Sequence, residues 1–217
     1  MLDSGFYNLD CMEGMKQFPD KFFDIAIVDP PYGDGRGTVS RTGGATHKWK
    51  TNAIYGKKII AWDVAPEDDY FQELYRVSRN QIIWGGNYFN LPPTRCFIIW
   101  RKLNVSDKFT MAMAEYAWTS FNKNAKVFEC TPQGTANEAR FHPTQKPIKL
   151  YQWLLKNYAK EGDKILDTHV GSASSLIACH RAGLEYWGFE IDPVYYKMAK
   201  ERLDIETAQV NIMDILT

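Results

Sequence analysis

Long hydrophobic runs are missing from this chain. No stretch of about 18 consecutive apolar residues occurs, which excludes a membrane-spanning helix, and the opening Met1-Leu2-Asp3-Ser4 lacks the basic-then-apolar form of a secretion signal. Cysteine is sparse: Cys11, Cys96, Cys130 and Cys179 stand far apart with no C-x-x-C pair, so neither a disulfide framework nor a zinc knuckle is indicated. The histidines show no H-x-x-x-H spacing, and only His180 has a cysteine beside it, Cys179, so no metal site is expected. Excess charge is absent too. The 26 basic and 26 acidic residues cancel, so a polyanionic partner has to be met by a local patch. There is no internal repeat and no low-complexity tract. These absences describe a soluble protein of a reducing, cytoplasmic compartment.

What is present is enough apolar matter for a core: 45% of the 217 residues are hydrophobic and 14% aromatic, which suits a single domain over 1–217. Apolar runs rich in β-branched residues predict strands at Phe6 to Asp10, Asp24 to Val28, Gln81 to Trp84, Cys96 to Trp100, Glu115 to Thr119, Lys164 to Asp167 and Glu185 to Glu190. Helical spacing predicts helices around Cys11 to Phe18, after Pro66, from Pro147 through Tyr158, from Ser172 to Ala182, and after Asp192-Pro193. Strands alternating with helices mean an open, largely parallel α/β sheet, where ligands bind beyond the C-terminal strand ends.

The residues that end those strands are acids: Asp10, Asp29, Asp167 and Glu190. Each alone serves equally well as a helix N-cap or a solvated strand end; four together point to a site. Asp167 leads into Thr168-His169-Val170-Gly171-Ser172, a strand, an acid, a glycine turn and a helix start. A glycine there lets backbone approach a ligand, and free N–H groups of the helix face it. Glu190, about 23 residues after Asp167, can accept from both ribose hydroxyls of a nucleoside. No G-x-G-x-x-G occurs, which disfavours a dinucleotide and favours an adenosine ligand without phosphates.

Asp29-Pro30-Pro31-Tyr32 directly follows a buried strand. It reads either as a rigid polyproline exit with a packed tyrosine or as a device for an exocyclic amine. Such an amine is a poor nucleophile because its lone pair is delocalised into the base. The Asp29 carboxylate and the Pro30 carbonyl can hold its two hydrogens and favour a pyramidal nitrogen, with the prolines fixing the carbonyl's direction. Tyr32 offers a ring on which an extruded base can stack.

With His142-Pro143-Thr144-Gln145-Lys146-Pro147, the Asp167 to Ser174 turn and Gly188-Phe189-Glu190-Ile191-Asp192-Pro193, this tetrapeptide resembles the S-adenosylmethionine-dependent DNA amino-methyltransferases. The catalytic tetrapeptide comes first and the cofactor turn late, the beta order of that family, and the matching segments run from Asn8 to Tyr196. The resemblance implies a class I, Rossmann-like fold: a seven-stranded, mostly parallel sheet with one antiparallel strand and helices on both faces. It implies S-adenosyl-L-methionine as cofactor, held by Asp10, Asp29, His142, Thr144, Lys146, Asp167, His169, Gly171, Ser172 and Glu190. Among these, Lys146 would approach the cofactor's carboxylate and Glu190 its ribose. It further implies Asp29, Pro30, Pro31 and Tyr32 as the catalytic residues, acting on adenine N6 in double-stranded DNA, with cytosine N4 or an inactive DNA-binding module as alternatives. Roles in restriction-modification and a homodimeric state are common in such enzymes. The chain departs from the family's turn at His169, where an aromatic is usual, and at Ala173, where the usual Ser-Gly pair would put glycine after Ser172, so weaker cofactor binding is expected.

The segment 33–58 carries six glycines and little apolar periodicity, and is expected to be a mobile loop that contacts DNA. It holds Arg36, Arg41, Lys48, Lys50, Lys57 and Lys58 against Asp34, a net +5 that leaves −5 on the remainder, with Trp49 and Tyr55 interleaved. Five bases and two acids between Arg101 and Lys126 form a second candidate contact.

Overall fold

The computed structural model describes residues 1–33, 64–109, 111–133 and 141–215. Arg36, Arg41, Lys48, Lys50, Lys57 and Lys58, with Trp49 and Tyr55, lie outside the described residues.

The strands are β1 (Gly5–Tyr7), β2 (Phe23–Val28), β3 (Ser78–Trp84), β4 (Phe97–Lys102), β5 (Ala114–Thr119), β6 (Lys126–Cys130), β7 (Lys164–Asp167) and β8 (Glu185–Phe189). They form one eight-stranded sheet in the order β1-β8-β7-β2-β3-β5-β4-β6. Every neighbouring pair is parallel except those made by β5, which runs against both β3 and β4. The expected single antiparallel strand is therefore β5, but the expected count of seven is one short. The extra strand, β6, lies at the sheet edge with an exposed-or-intermediate burial pattern and no continuous apolar run. An edge strand buries so little that its residues need not read as a strand.

The helices are α1 (Cys11–Met15), α2 (Asp68–Val77), α3 (Ile148–Tyr158), α4 (Ser174–Arg181) and α5 (Pro193–Ile215). The sheet's period of two separates two cores. Ile25 and Ile27 of β2 pack with Trp84, Trp100 and the buried faces of α3, α4 and α5. Ala26 and Val28 point the other way, into Met15, Tyr70, Phe71 and Leu74 from α1 and α2. On α2, Tyr70, Phe71, Leu74 and Val77 are buried, the i, i+1, i+4, i+7 stripe expected of a helix lying on a sheet.

Three helix bounds differ from the periodic reading. α1 stops at Met15, where Lys16 caps it. α4 starts only at Ser174, because Ala173 before it takes the left-handed conformation at φ 62°. α3 starts at Ile148 with Pro147 as its N-cap. Because β2 and β7 pair in parallel, with Ala26 opposite Leu166, the acids at their C-terminal ends emerge side by side. That edge is where the site forms.

Candidate active site

A cavity of about 650 Å³ opens at the C-terminal edge of the sheet. Segments Leu9–Cys11, Asp29–Tyr32, His142–Lys146, Thr168–Ser172 and Phe189–Asp192 line it, so four of the strand-end segments singled out in the sequence converge there. Asp167 itself lies just beneath, fully enclosed. Its carboxylate accepts from His169 N at 3.0 Å and from Ser175 Oγ. Burial pushes the Asp167 carboxyl up to about 7, with Ser175 and His169 opposing. Burial pushes the neighbouring His169 down to about 4, so the imidazole is neutral at pH 7. Its ring meets Tyr70 edge-on at 5.5 Å, and Nδ1 lies 2.9 Å from Thr168 Oγ1. An imidazole thus occupies the place of the expected aromatic ring.

Glu190, one residue past β8, spans the glycine turn. Its Oε2 accepts from Gly171 N at 2.9 Å and its Oε1 from Asp192 N at 2.9 Å. Burial raises its carboxyl above the usual range. Gly171 sits at φ 56°, and a Cβ there would stand 3.2 Å from His142 Cε1. The H-P-T-Q-K-P segment therefore lies directly over the turn, with His142 edge-on to Tyr195 at 4.4 Å and Thr144 Oγ1 3.2 Å from His142 Nδ1. Asp10 lines the cavity and also caps α1, accepting from Met12 N at 2.9 Å and Glu13 N at 3.2 Å. Ser172 Oγ pairs instead with Ser174 Oγ at 3.1 Å.

The tetrapeptide is internally engaged. Tyr32 donates to Asp29 Oδ1 at 2.8 Å, while the Lys146 ammonium holds Asp29 Oδ2. The Tyr32 ring stacks on Tyr88 with centroids 4.7 Å apart and planes 11° from parallel. The ring expected to be free for a base is covered on that face. Lys146 is almost fully enclosed at 3% exposure, and its second partner is Glu115 of β5 at 3.2 Å. Glu115 pairs in turn with Lys102 at 2.5 Å. The ammonium is thus committed to two carboxylates rather than turned toward open cavity.

Spacing along the chain gave no sign of Glu115, Lys102, Gly85 or Tyr88, because each reaches the site through a long-range contact. Lys102 entered only as one of the five bases between Arg101 and Lys126. Of the second cationic segment, Lys102 is turned inward and Arg101 pairs with Glu129 at 2.8 Å. Lys123 and Lys126 bond Asn157. Asn157 is neutral, so Lys123 and Lys126 keep their charge, and both are exposed, as is Lys108.

The donor set suits a cationic nucleoside. Asp10, Asp29, Glu115, Glu190 and Asp192 line the cavity, whereas its two cations, Lys102 and Lys146, are already paired. A phosphate would meet net negative charge there; a sulfonium or an ammonium would not. The volume lies in the range of small-ligand sites, about 300 to 1,000 Å³, and Gly171 admits close approach of the backbone.

Comparisons with known proteins agree with this architecture. YubD of Escherichia coli (strain K12), whose name calls it a methylase, is 26% identical over 222 residues, 92% of this chain and 90% of its own. Type II methyltransferase M.HpaI of Haemophilus parainfluenzae is 43% identical over 65 residues, 30% of this chain and 21% of its own. Among solved structures, the M1.HpyAVI–SAM complex superposes with a TM-score of 0.59 at 18% identity, covering 91% of this chain and 98% of that one. PvuII DNA methyltransferase, described as cytosine-N4-specific, gives 0.59 at 12% identity, covering 97% and 93%. These two share the fold. The N6/N4 family described as DNA methylase matches residues 67–201, the stretch from α2 through the H-P-T-Q-K-P segment and the glycine turn into α5, and the chain belongs to that family.

Proposed function

We propose that the protein transfers a methyl group from S-adenosyl-L-methionine to N6 of adenine in double-stranded DNA. The observation that carries this is the Asp29-Pro30-Pro31-Tyr32 corner at the end of β2, which faces the acid-lined cavity with its carboxylate oriented by a buried lysine. S-adenosyl-L-methionine supplies the methyl group as an electrophile on sulfur. Glu190 would hold the ribose and Asp10 would lie toward the adenine. Gly171, His142, Thr144 and the Asp167–His169 turn would enclose the remainder, with Ser172 at the helix start. Neither Asp29 nor any other residue here has to remove a proton before transfer. Asp29 Oδ1 and the Pro30 carbonyl accept the two amino hydrogens, which localises the nitrogen lone pair. The proton leaves to water once the nitrogen has become cationic.

In this reading the target amine takes over the hydrogen bond that Tyr32 now gives Asp29 Oδ1. Burial and the adjacent Asp29 charge both keep the Tyr32 hydroxyl protonated, its pKa well above the usual value, so it remains a donor that the amine can replace. We further propose that segment 34–58, with Arg36, Arg41, Lys48, Lys50, Lys57 and Lys58, supplies the phosphate contacts of a single-domain enzyme. The likeness in fold to a cytosine-N4-specific enzyme favours a second reading, since both bases present a conjugated exocyclic amine.

Incubation with labelled cofactor and unmethylated DNA, followed by digestion and nucleoside identification, tests the reading. N6-methyladenine is expected; N4-methylcytosine selects the second reading, and no label in DNA refutes both. Asp29→Ala should lower transfer at least about 1,000-fold while calorimetry shows cofactor affinity nearly unchanged. Retained transfer in that variant would remove Asp29 from its role.

A further inference from the structure

We propose that Glu115 and Lys102 are positioning residues for Asp29: with Lys146 they form a line of alternating buried charges that orients the Asp29 carboxylate and preserves its negative charge toward the target amine. This rests on the reading of Asp29 as the acceptor of the amino hydrogens.

The line is continuous. The Lys146 ammonium binds Asp29 Oδ2 and stands 3.2 Å from Glu115 Oε2. Lys102 Nζ stands 2.5 Å from Glu115 Oε1. Side-chain exposures of 15%, 3%, 24% and 8% for Asp29, Lys146, Glu115 and Lys102 place the whole line at or below the cavity wall. Two indole rings floor it: Lys146 lies 5.3 Å from the Trp84 centroid and Lys102 5.1 Å from that of Trp100. Glu115 arrives from β5, opposite Trp100 of β4. The single reversed strand in the sheet is therefore the one that delivers this carboxylate.

Electrostatics explains why two charges would not suffice. Methyl transfer leaves positive charge on the target nitrogen. Asp29 paired with Lys146 alone is a neutral couple, and the ammonium would cancel most of the carboxylate's field at that nitrogen. Glu115 engages the same ammonium from its other side, so Asp29 gives up less of its charge to Lys146. Lys102 balances Glu115 one carboxylate further away, and the buried line is neutral in sum. A neutral line avoids the large cost of an odd buried charge, while its terminal group at the cavity remains negative. Glu115 Oε2 makes no aligned hydrogen bond despite its burial, so its interaction with Lys146 is carried by charge. Burial alone would lower the Lys146 ammonium, but Asp29 and Glu115 together hold it above the usual lysine value. The hydroxyls of Tyr32 and Tyr151 feel both carboxylates, and Lys102 acts across Glu115.

The test joins kinetics to a titration. Glu115→Gln should lower kcat for DNA methylation about 10- to 100-fold, with cofactor affinity and the KM for DNA within about twofold of wild type. The double variant Glu115→Gln/Lys146→Gln also removes the ammonium that would then draw on Asp29 alone, and should be at least about tenfold faster than Glu115→Gln. A purely structural role for Glu115 predicts the reverse order. A full kcat in Glu115→Gln, or a double variant no faster than the single, overturns the proposal. Nitrogen-15 NMR of the lysine ammonium provides a readout independent of turnover. Lys146 should lose its proton at lower pH in Glu115→Gln than in wild type, and an unchanged titration overturns the shared ammonium even if no transfer is seen. Should the glutamine variant fail to fold, Glu115→Asp withdraws the carboxylate by one methylene and should change both readouts in the same direction. Inactive wild-type protein would instead refute the proposed function, which the titration does not depend on.

Discussion

Gly85 ends β3 in a left-handed turn at φ 68°, and a Cβ there would stand 2.1 Å from Tyr32 Cε1. Two costs fall on any side chain at this point: backbone strain of about 1–2 kcal/mol and displacement of the tyrosine that bonds Asp29. Gly85→Ala should therefore lose about 1–3 kcal/mol in urea unfolding and lose methyl transfer far more steeply than that; unchanged transfer would show that Tyr32 needs no fixed seat. Tyr88, 43% exposed, stacks on the Tyr32 ring. A base that stacks on that face has to displace it, at a cost of about 0.5–1.5 kcal/mol for an aromatic pair. Tyr88→Ala should accordingly lower the KM for DNA by about two- to tenfold, and a raised KM would mean that Tyr88 supports Tyr32 rather than competing with the base. The acids at the strand ends were legible in the sequence because each stands within three residues of the end of its own strand. Gly85 and Tyr88 were not, since nothing local distinguishes a glycine under a tyrosine ring from one in any loop.

At the scale of one element, the strand–turn–helix from β7 to α4 concentrates the titratable groups of the glycine turn. Its strand, glycine and following helix were readable from the Ile165 to Ser172 pattern, whereas the helix start moved to Ser174 because Ala173 adopts φ 62°. The alanine pays strain that a glycine would not, but its methyl is fully buried, worth about 0.8 kcal/mol. Those opposing effects explain why the departure from glycine is tolerated. The same element gives a pH prediction. Asp167, raised to about 7 by burial, keeps its proton in the folded state where the unfolded chain has lost it, so its contribution to stability falls as pH rises from about 4 to 7. His169, lowered to about 4 by burial, stays neutral where the unfolded chain is protonated, so its contribution falls as pH drops from about 6.5 to 4. The two oppose each other across the shared window, and wild-type stability should be nearly flat there with respect to this pair. Asp167→Asn should unmask the histidine, giving stability that rises with pH by up to about 1.4 kcal/mol per unit. His169→Gln should show the opposite slope. Chemical unfolding of the cofactor-free protein between pH 4 and 7 measures both, and parallel curves for the two variants would refute the assignment.

Across the whole molecule, charge is divided between a surface that should repel DNA and one segment that should attract it. The chain is neutral in sum, yet 33–58 carries a net +5 and everything else −5. Several cations of the described remainder are held in internal ion pairs: Lys102 and Lys146 are buried in pairs, Arg76 bonds Glu73 and Asp20, and Arg181 bonds Glu206. Among the described residues no helix is long and apolar enough to cross a membrane, so the cationic segment is not paired with a membrane-spanning element there. The sequence shows this segregation plainly because net charge is a sum over residues, needing no contacts to be known. By contrast, the buried line behind Asp29 depends on strands β4 and β5 meeting the H-P-T-Q-K-P segment, which composition cannot reveal. If the segment supplies the phosphate contacts, each lysine that neutralises one phosphate contributes about 0.9 to the slope of log affinity against log salt concentration. Replacing Lys48, Lys50, Lys57 and Lys58 with glutamine should therefore make that slope shallower by about 3 to 4. Affinity should weaken most at low salt and least at high salt, for specific and nonspecific duplexes alike. An unchanged slope would place the phosphate contacts on cations of the remainder instead.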